Sequence, residues 1–334
     1  LVWHVTPSLA ATLTVNTDFA DAEVDERQVN LGRFSLFFPE KRGFFTQDAS
    51  LFTFGGIQQD PLPFFSRRIG LSRDGTKVDL LSGLKLTGRV GPWTVGLLDV
   101  QTADHAGVDS KNLLVGRVAF QVFSEANVGV IFTRGDPRIN GDNSLGGADF
   151  NYTNNHLAGN KTLSANASVQ LTDSDFAAGR GMAGTIKVNY PNEPYSFNAW
   201  LSSVSGKYDP ALGFASRTDV TEIHLGHRYR WYLQDRRIRR IDLDLEAGEI
   251  LDLHGRRLEH TYSFPALEAE SVAGDEYSAN YENHQEVLDE PFEIRPGIVI
   301  PKGRYAWNSA QAQFDTTSSR TVDFRLELKR GGFF

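Results

Sequence analysis

"LSANASVQL", residues 163–171, puts Leu163, Ala165, Ala167, Val169 and Leu171 on one face of an extended chain and Ser164, Asn166, Ser168 and Gln170 on the other, because successive side chains of a strand point to opposite sides. The same two-residue period returns along the chain. Residues 182–190 oppose Met182, Gly184, Ile186, Val188 and Tyr190 to Ala183, Thr185, Lys187 and Asn189. "VDLLSGLKLTGRV" (78–90) sets Val78, Leu80, Leu84, Leu86 and Val90 against Asp79, Lys85, Thr87 and Arg89, and "LGHRYRWYL" (225–233) sets Leu225, Tyr229 and Trp231 against Arg228, Arg230 and Tyr232. Turn signals separate these runs, among them Gly91-Pro92, Asn140-Gly141-Asp142 and Pro191-Asn192-Glu193-Pro194. The pattern predicts a dozen or more two-faced strands near the ~9 to 11 residues that cross a bilayer, longer than the ~5 to 6 common in soluble sheets.

Two all-β architectures accommodate such strands. In a soluble sandwich the apolar face meets a second sheet; in a transmembrane barrel it meets lipid, and the polar face lines a lumen. Strand length, aromatic residues near strand ends (Trp93, Tyr190, Trp200, Trp231, Trp307) and full charges in mid-strand favour the barrel. On this reading Lys85, Arg89, Lys187 and Asn189 face the lumen, whereas Val188 faces lipid.

Composition narrows the partners. The 334 residues carry 34 Lys and Arg against 42 Asp and Glu, a net charge of -8, which provides no basic footprint for nucleic acid. Cysteine is absent, so thiolate metal sites, disulfides and cysteine nucleophiles are excluded. No run of about 18 apolar residues offers a transmembrane helix. With 23 Phe, 10 Tyr and 5 Trp against 1 Met, the chain is rich in strand formers.

Residues 18–76 interrupt the alternation. They hold an acidic cluster (Asp18, Asp21, Glu23, Asp25, Glu26), then "FSLFFPEKRGFF" (34–45), "SLFTFGG" (50–56) and "FFSRRIGLSRDG" (64–75). About ten phenylalanines in this stretch would make a poor exposed loop, and its charges a poor lipid contact. The segment is therefore expected to pack in or across a barrel mouth as a plug. Phe37, Phe38, Phe44 and Phe45 should be buried, and Glu40, Lys41, Arg42, Arg67 and Arg68 should pair with lumen charges or with Asp21, Glu23, Asp25 and Glu26.

The run "LTVNTDFADAEVDERQVNLGRFSLFFPEKRGFFTQDASLFTFG" (13–55) resembles the signature of a family of bacterial outer-membrane β-barrel proteins of unassigned function, whose members commonly follow a domain similar to family 9 carbohydrate-binding modules. "FFSRRIGL", "GLKLTGRVGPWTVGLLDVQT", "YDPALGF" and "LDEPFEIRPGIVIPKGRY" resemble successive stretches of the same family, so the likeness spans roughly residues 5–305. It implies the bacterial outer membrane as location, lipid as partner and a single barrel domain over 1–334, and it carries over no catalytic residue. It also implies further barrel strands beyond "GGFF". The parity of Leu326, Leu328, Arg330, Gly332 and Phe334 agrees, because the apolar face breaks at Arg330 before the terminal Phe. The expected fold is therefore all-β: an incomplete portion of an antiparallel transmembrane β-barrel, with 18–76 as an inserted plug.

Other chemistry is thinly represented. His224 and His227 fall on opposite faces of a strand, so they do not converge on a metal, and no cofactor is implied. The acidic cluster lacks the spacing of a calcium loop, and no Gly-x-Ser-x-Gly elbow organises a nucleophile. The sequons at Asn151, Asn160 and Asn166 sit among polar strand positions, and Glu286, Asp289, Glu290 and Glu293 read as solvated loop charges. The expected function is a channel, a transporter or an anchor for an attached periplasmic or surface domain, with a glycan or small solute as cargo. The alternative is a carbohydrate-active or glycan-binding β-protein, which rests only on the neighbouring domain common in the resembling family.

Overall fold

A computed structural model describes residues 1–17, 33–34, 36–73, 75–234 and 237–332. The strands in chain order are β1 Val2–Thr6, β2 Leu9–Thr17, β3 Leu80–Val90, β4 Trp93–Thr102, β5 Asn112–Phe123, β6 Ala126–Arg134, β7 Asn143–Leu157, β8 Lys161–Ser174 and β9 Gly179–Pro191. They continue as β10 Tyr195–Val204, β11 Val220–Tyr232, β12 Ile238–Asp252, β13 Arg257–Ser271, β14 Glu276–Leu288, β15 Phe292–Arg295, β16 Ile298–Ile300, β17 Gly303–Asp315 and β18 Arg325–Gly331. Sixteen of them form one antiparallel sheet in the order β1 to β14, β17, β18, and β15 pairs with β16 in a separate hairpin. The expected barrel closure is corrected here. Closure needs the first and last strands to share a ladder, but β1 is bonded to β2 alone and β18 to β17 alone among the described residues, so the sheet is open.

The chain divides into two compact units, one of Leu1–Thr153, Ala165–Ile186 and Ser202–Asp219, the other of Asn154–Ser164, Lys187–Leu201 and Val220–Phe334. In the first unit one sheet face is covered by residues 36–73 and 75–79 and by the 205–219 connection. The covering chain contains α1 (Gly43–Thr46) and two single 3₁₀ turns, Ala49–Phe52 and Ser66–Arg68. Two apolar clusters join it to the sheet. Phe45, Phe52, Ile69 and Leu212 pack with Leu80, Leu98, Val100, Leu113 and Val115, while Phe54 and Tyr208 pack with Ile131, Leu145, Ala183 and Val204.

The facing of the strands reverses the soluble arrangement over much of this unit. Gln170 is 0% exposed and its neighbour Leu171 59%; Thr185 is 6% exposed and Ile186 54%. The covered face is mixed, with Lys85, Thr87, Arg117, Asp149, Gln170 and Thr185 buried alongside the apolar clusters, while exposed side chains such as Leu84, Val130, Leu171 and Ile186 lie on the other face. Cross-strand partners share a face, so the register extends this pattern. Trp3, Ala11, Leu86, Leu97, Gly116, Phe132 and Gly146 follow one another across β1 to β7 as an uncovered row with no polar side chain. One expectation needs correction: Val78 and Leu80 do not share a face with Leu84 and Val90. The β3–β4 register shifts between Leu80 and Ser82, so Val78 and Leu80 are buried while Leu84 and Val90 are exposed.

The second unit keeps the same two-faced order. Tyr229, Leu243, Leu267, Ala279, Ala312 and Leu328 are successive partners across β11, β12, β13, β14, β17 and β18. The adjacent row, on the opposite face, is Arg230, Asp242, Glu268, Ser278, Gln313 and Glu327. Every residue of the first row is an aromatic or aliphatic side chain, and every residue of the second is polar or charged.

Candidate functional site

The covering segment stays in place because the sheet leaves room for its rings. A Cβ at Gly147 would lie 2.9 Å from Phe54 Cζ, one at Gly96 3.0 Å from Phe52 Cε1, and one at Gly83 3.1 Å from Phe44 Cζ. These glycines act as sockets on the covered face. Gly146, one residue from Gly147 and on the other face, has nothing within 4 Å of such a Cβ. Gly147→Val is therefore expected to destabilise the chain by roughly 1–3 kcal/mol through overpacking, while Gly146→Val stays near neutral; equal melting temperatures for the two variants would remove the sockets from the argument.

Charged groups fasten the same segment. Lys85, 2% exposed, donates from Nζ to the carbonyls of Phe44 (2.7 Å) and Gln47 (2.6 Å), and Thr87 donates to Asp48 at 2.9 Å. Arg117 on β5 makes a two-point bond to Asp149 on β7 at 2.6 and 2.9 Å and donates from Nε to the Thr53 carbonyl at 3.0 Å. Asp149 also accepts the Gly55 N–H at 2.9 Å and the Asn151 amide at 2.7 Å. A third centre lies in the connections: Arg138 bonds both carboxylate oxygens of Asp136 and of Asp209, and Ser174 donates to Asp209 at 2.6 Å. Burial raises the Asp209 carboxyl, but the hydrogen bonds from Arg138 and Ser174 outweigh it and hold the group below its ordinary range.

The "PEKR" motif forms its own knot. Arg42 donates from Nε to Glu40 at 2.8 Å and from NH2 at 2.7 Å, and reaches the carbonyls of Ile69 and Ser66, each at 2.7 Å. Ser66 donates to Glu40 at 2.6 Å, and the Arg42 guanidinium stands 4.3 Å over the Phe45 ring. Phe45 is buried, while Phe37, Phe38 and Phe44 are half-buried. Phe37 stacks on Phe65 at 4.8 Å and meets the edge of Phe214 at 5.5 Å. Burial raises the Glu40 carboxyl, but the fork and charge of Arg42 and the Ser66 bond lower it further, for a net downward shift. A carboxyl lowered on folding adds stability that is full above its unfolded pKa and lost as pH falls through the folded one. Glu40→Gln should therefore flatten the acid limb of a stability-against-pH curve, and an unchanged limb would show that Glu40 is not one of its sources.

Arg67 and Arg68 also serve the segment: Arg67 donates to the Pro39 carbonyl at 2.9 Å, and Arg68 to that of Gly213 at 3.1 Å. Lys41 is half-buried, and its N–H donates to Glu40 at 3.0 Å. Asp21, Glu23, Asp25 and Glu26 lie outside the described residues, and so does their expected pairing with Arg42, Arg67 and Arg68. Arg89 is exposed on the row that continues through Thr94, Ala119 and Gly129 to Asp149. Lys187 and Asn189 are half-buried on β9, as is Val188. Of the sequons, Asn166 donates to Asn151 at 2.8 Å within the polar network below Asp149, and Asn160 is an exposed turn residue.

Sequence reasoning missed Asp136, Arg138, Asp149 and Asp209. Each lies in a turn or on a polar strand face, where a single charge resembles any solvated one. The signal present was glycine on the polar face beside such charges. In the second unit the "RYR" stripe forms a ladder: Arg228 bonds Asp244 at 2.6 and 2.9 Å, and Arg230 bonds Asp242 at 2.8 Å through two nitrogens.

Residues 3–103, which span β1 to β4 and the covering segment, match the family model described as a domain of unknown function, DUF5916. No curated protein and no solved structure matches the chain.

Proposed function

We propose that this chain is part of a bacterial outer-membrane β-barrel, that its uncovered apolar rows meet lipid, and that residues 36–79 are a plug on the lumen side of an occluded channel or transporter. The observation that carries the reading is the reversed facing: Leu171 and Ile186 are exposed while Gln170 and Thr185 are buried, the order demanded when hydrocarbon lies outside and a polar interior within. The 9- to 15-residue strands of the main sheet from β2 to β14 are long enough to span at the usual tilt. The family resemblance supports the location.

The plug is bound to the sheet by Lys85 and the Arg117–Asp149 pair, so passage of a small solute requires part of it to move. Carboxylates serve this fastening: Asp149 on the covered face is engaged by Arg117, and Asp136 and Asp209 in the connections by Arg138. That arrangement supports an occluded conduit over the carbohydrate-active alternative.

The chain should sediment with outer membranes and need detergent for extraction. In planar bilayers it should conduct poorly, and Lys85→Met, which removes both bonds to the Phe44 and Gln47 carbonyls, should raise conductance. A chain that stays soluble without detergent defeats the reading. An inserted chain whose conductance does not respond is an anchor rather than a conduit.

A further inference from the structure

The covered face of the first unit holds a cavity of about 570 Å³ between residues 50–56 and the turns that end β3 and β5. Its wall is set by register. Arg89, Thr94 and Ala119 follow one another along one row, and Gln121, Asn127 and Asn151 along another, so one guanidinium, one hydroxyl and three amides line the same space.

The charges there are unequal. Arg117 also lines the cavity, but Asp149 neutralises it through two bonds. Among the described residues Arg89 has no hydrogen bond or ion pair from its side chain, and no carboxylate lines the cavity. The Asn127 carbonyl is occupied by Asn151 at 3.0 Å, which leaves its NH₂ as a donor. An exposed guanidinium beside neutral donors, with no competing carboxylate among the described lining residues, suits a group carrying two acceptor oxygens in one plane.

We propose that this cavity is a binding site for a small oxyanion, a carboxylate or phosphate compound held by Arg89 and steadied by Thr94 and Asn127. The proposal goes beyond the membrane reading and does not depend on it, since the site lies within one compact unit. The volume is within the range of small-molecule pockets.

The test is calorimetric titration of the full chain, in detergent micelles or in plain buffer as its solubility requires, with succinate, inorganic phosphate and uncharged glucose as separate probes. Saturable binding of succinate or phosphate is expected, with the stronger probe identifying the oxyanion class, and none of glucose. Arg89→Gln should weaken that binding at least tenfold. Ala119→Trp, which fills the cavity and keeps every charge, should weaken it similarly, with the melting temperature of each variant confirming that it folds. Absence of saturable oxyanion binding, glucose binding of equal strength, or oxyanion binding unmoved by both folded variants overturns the proposal.

Discussion

Asp149→Ala is expected to lower the stability of the chain by about 3–5 kcal/mol, the cost of leaving a buried charge without its partner. The Arg117 and Asp149 side chains are 3% and 0% exposed, so water cannot replace the lost carboxylate. The same change orphans the Gly55 N–H, which Asp149 accepts at 2.9 Å, and so loosens the covering segment at its "FGG" turn. Gly55 and Gly56 hold φ of +59° and +64° there, and a side chain on either would also strike Ser168 or Asn166. Denaturant titration of Asp149→Ala and of the double variant Arg117→Met with Asp149→Leu checks the account. The single variant should fall by the full amount and the double should recover part of it, because an apolar pair of similar volume needs no desolvation of charge, while the Gly55 N–H stays unpaired in both. A single variant as stable as the parent would show that the pair does not fasten the segment.

Val130→Lys is expected to cost about 2–4 kcal/mol in lipid if this face lies near the bilayer midplane. Val130 sits at the centre of β6 and is 56% exposed. In a water-soluble protein a substitution at so open a position would change stability by no more than about 0.5 kcal/mol. The two environments thus differ by several-fold in one measurement, a folding titration into lipid vesicles. A near-neutral result would remove lipid from the apolar face. Val130 is a sharper choice than the Val188 and Asn189 pair, whose side chains are both half-buried.

What the sequence by itself determined is the strand content and, in the stretches 163–171, 182–190 and 225–233, which residues share a face. Leu163 to Leu171 and Met182 to Tyr190 carried that information locally, because a period of two depends only on backbone geometry. The rings and charges of residues 36–73 made that stretch legible as one needing cover, since such density suits neither lipid nor open water. Alternation alone did not reveal which face of the strands is buried. It is symmetric between a sandwich and a barrel, and the covering segment, which bonds Gln170 through the Pro61 carbonyl, breaks that symmetry. The bulge after Leu80 was also invisible, because one inserted residue changes no composition and yet reverses every later side chain of β3. The fastening residues depended on tertiary structure for the same reason. Lys85 was placed on the polar face of its strand from sequence, but its bonds to the Phe44 and Gln47 carbonyls arise only when residues about 40 positions apart meet. Arg117, Asp149 and Gly147 come together through strand register, a property of paired strands that no single strand encodes.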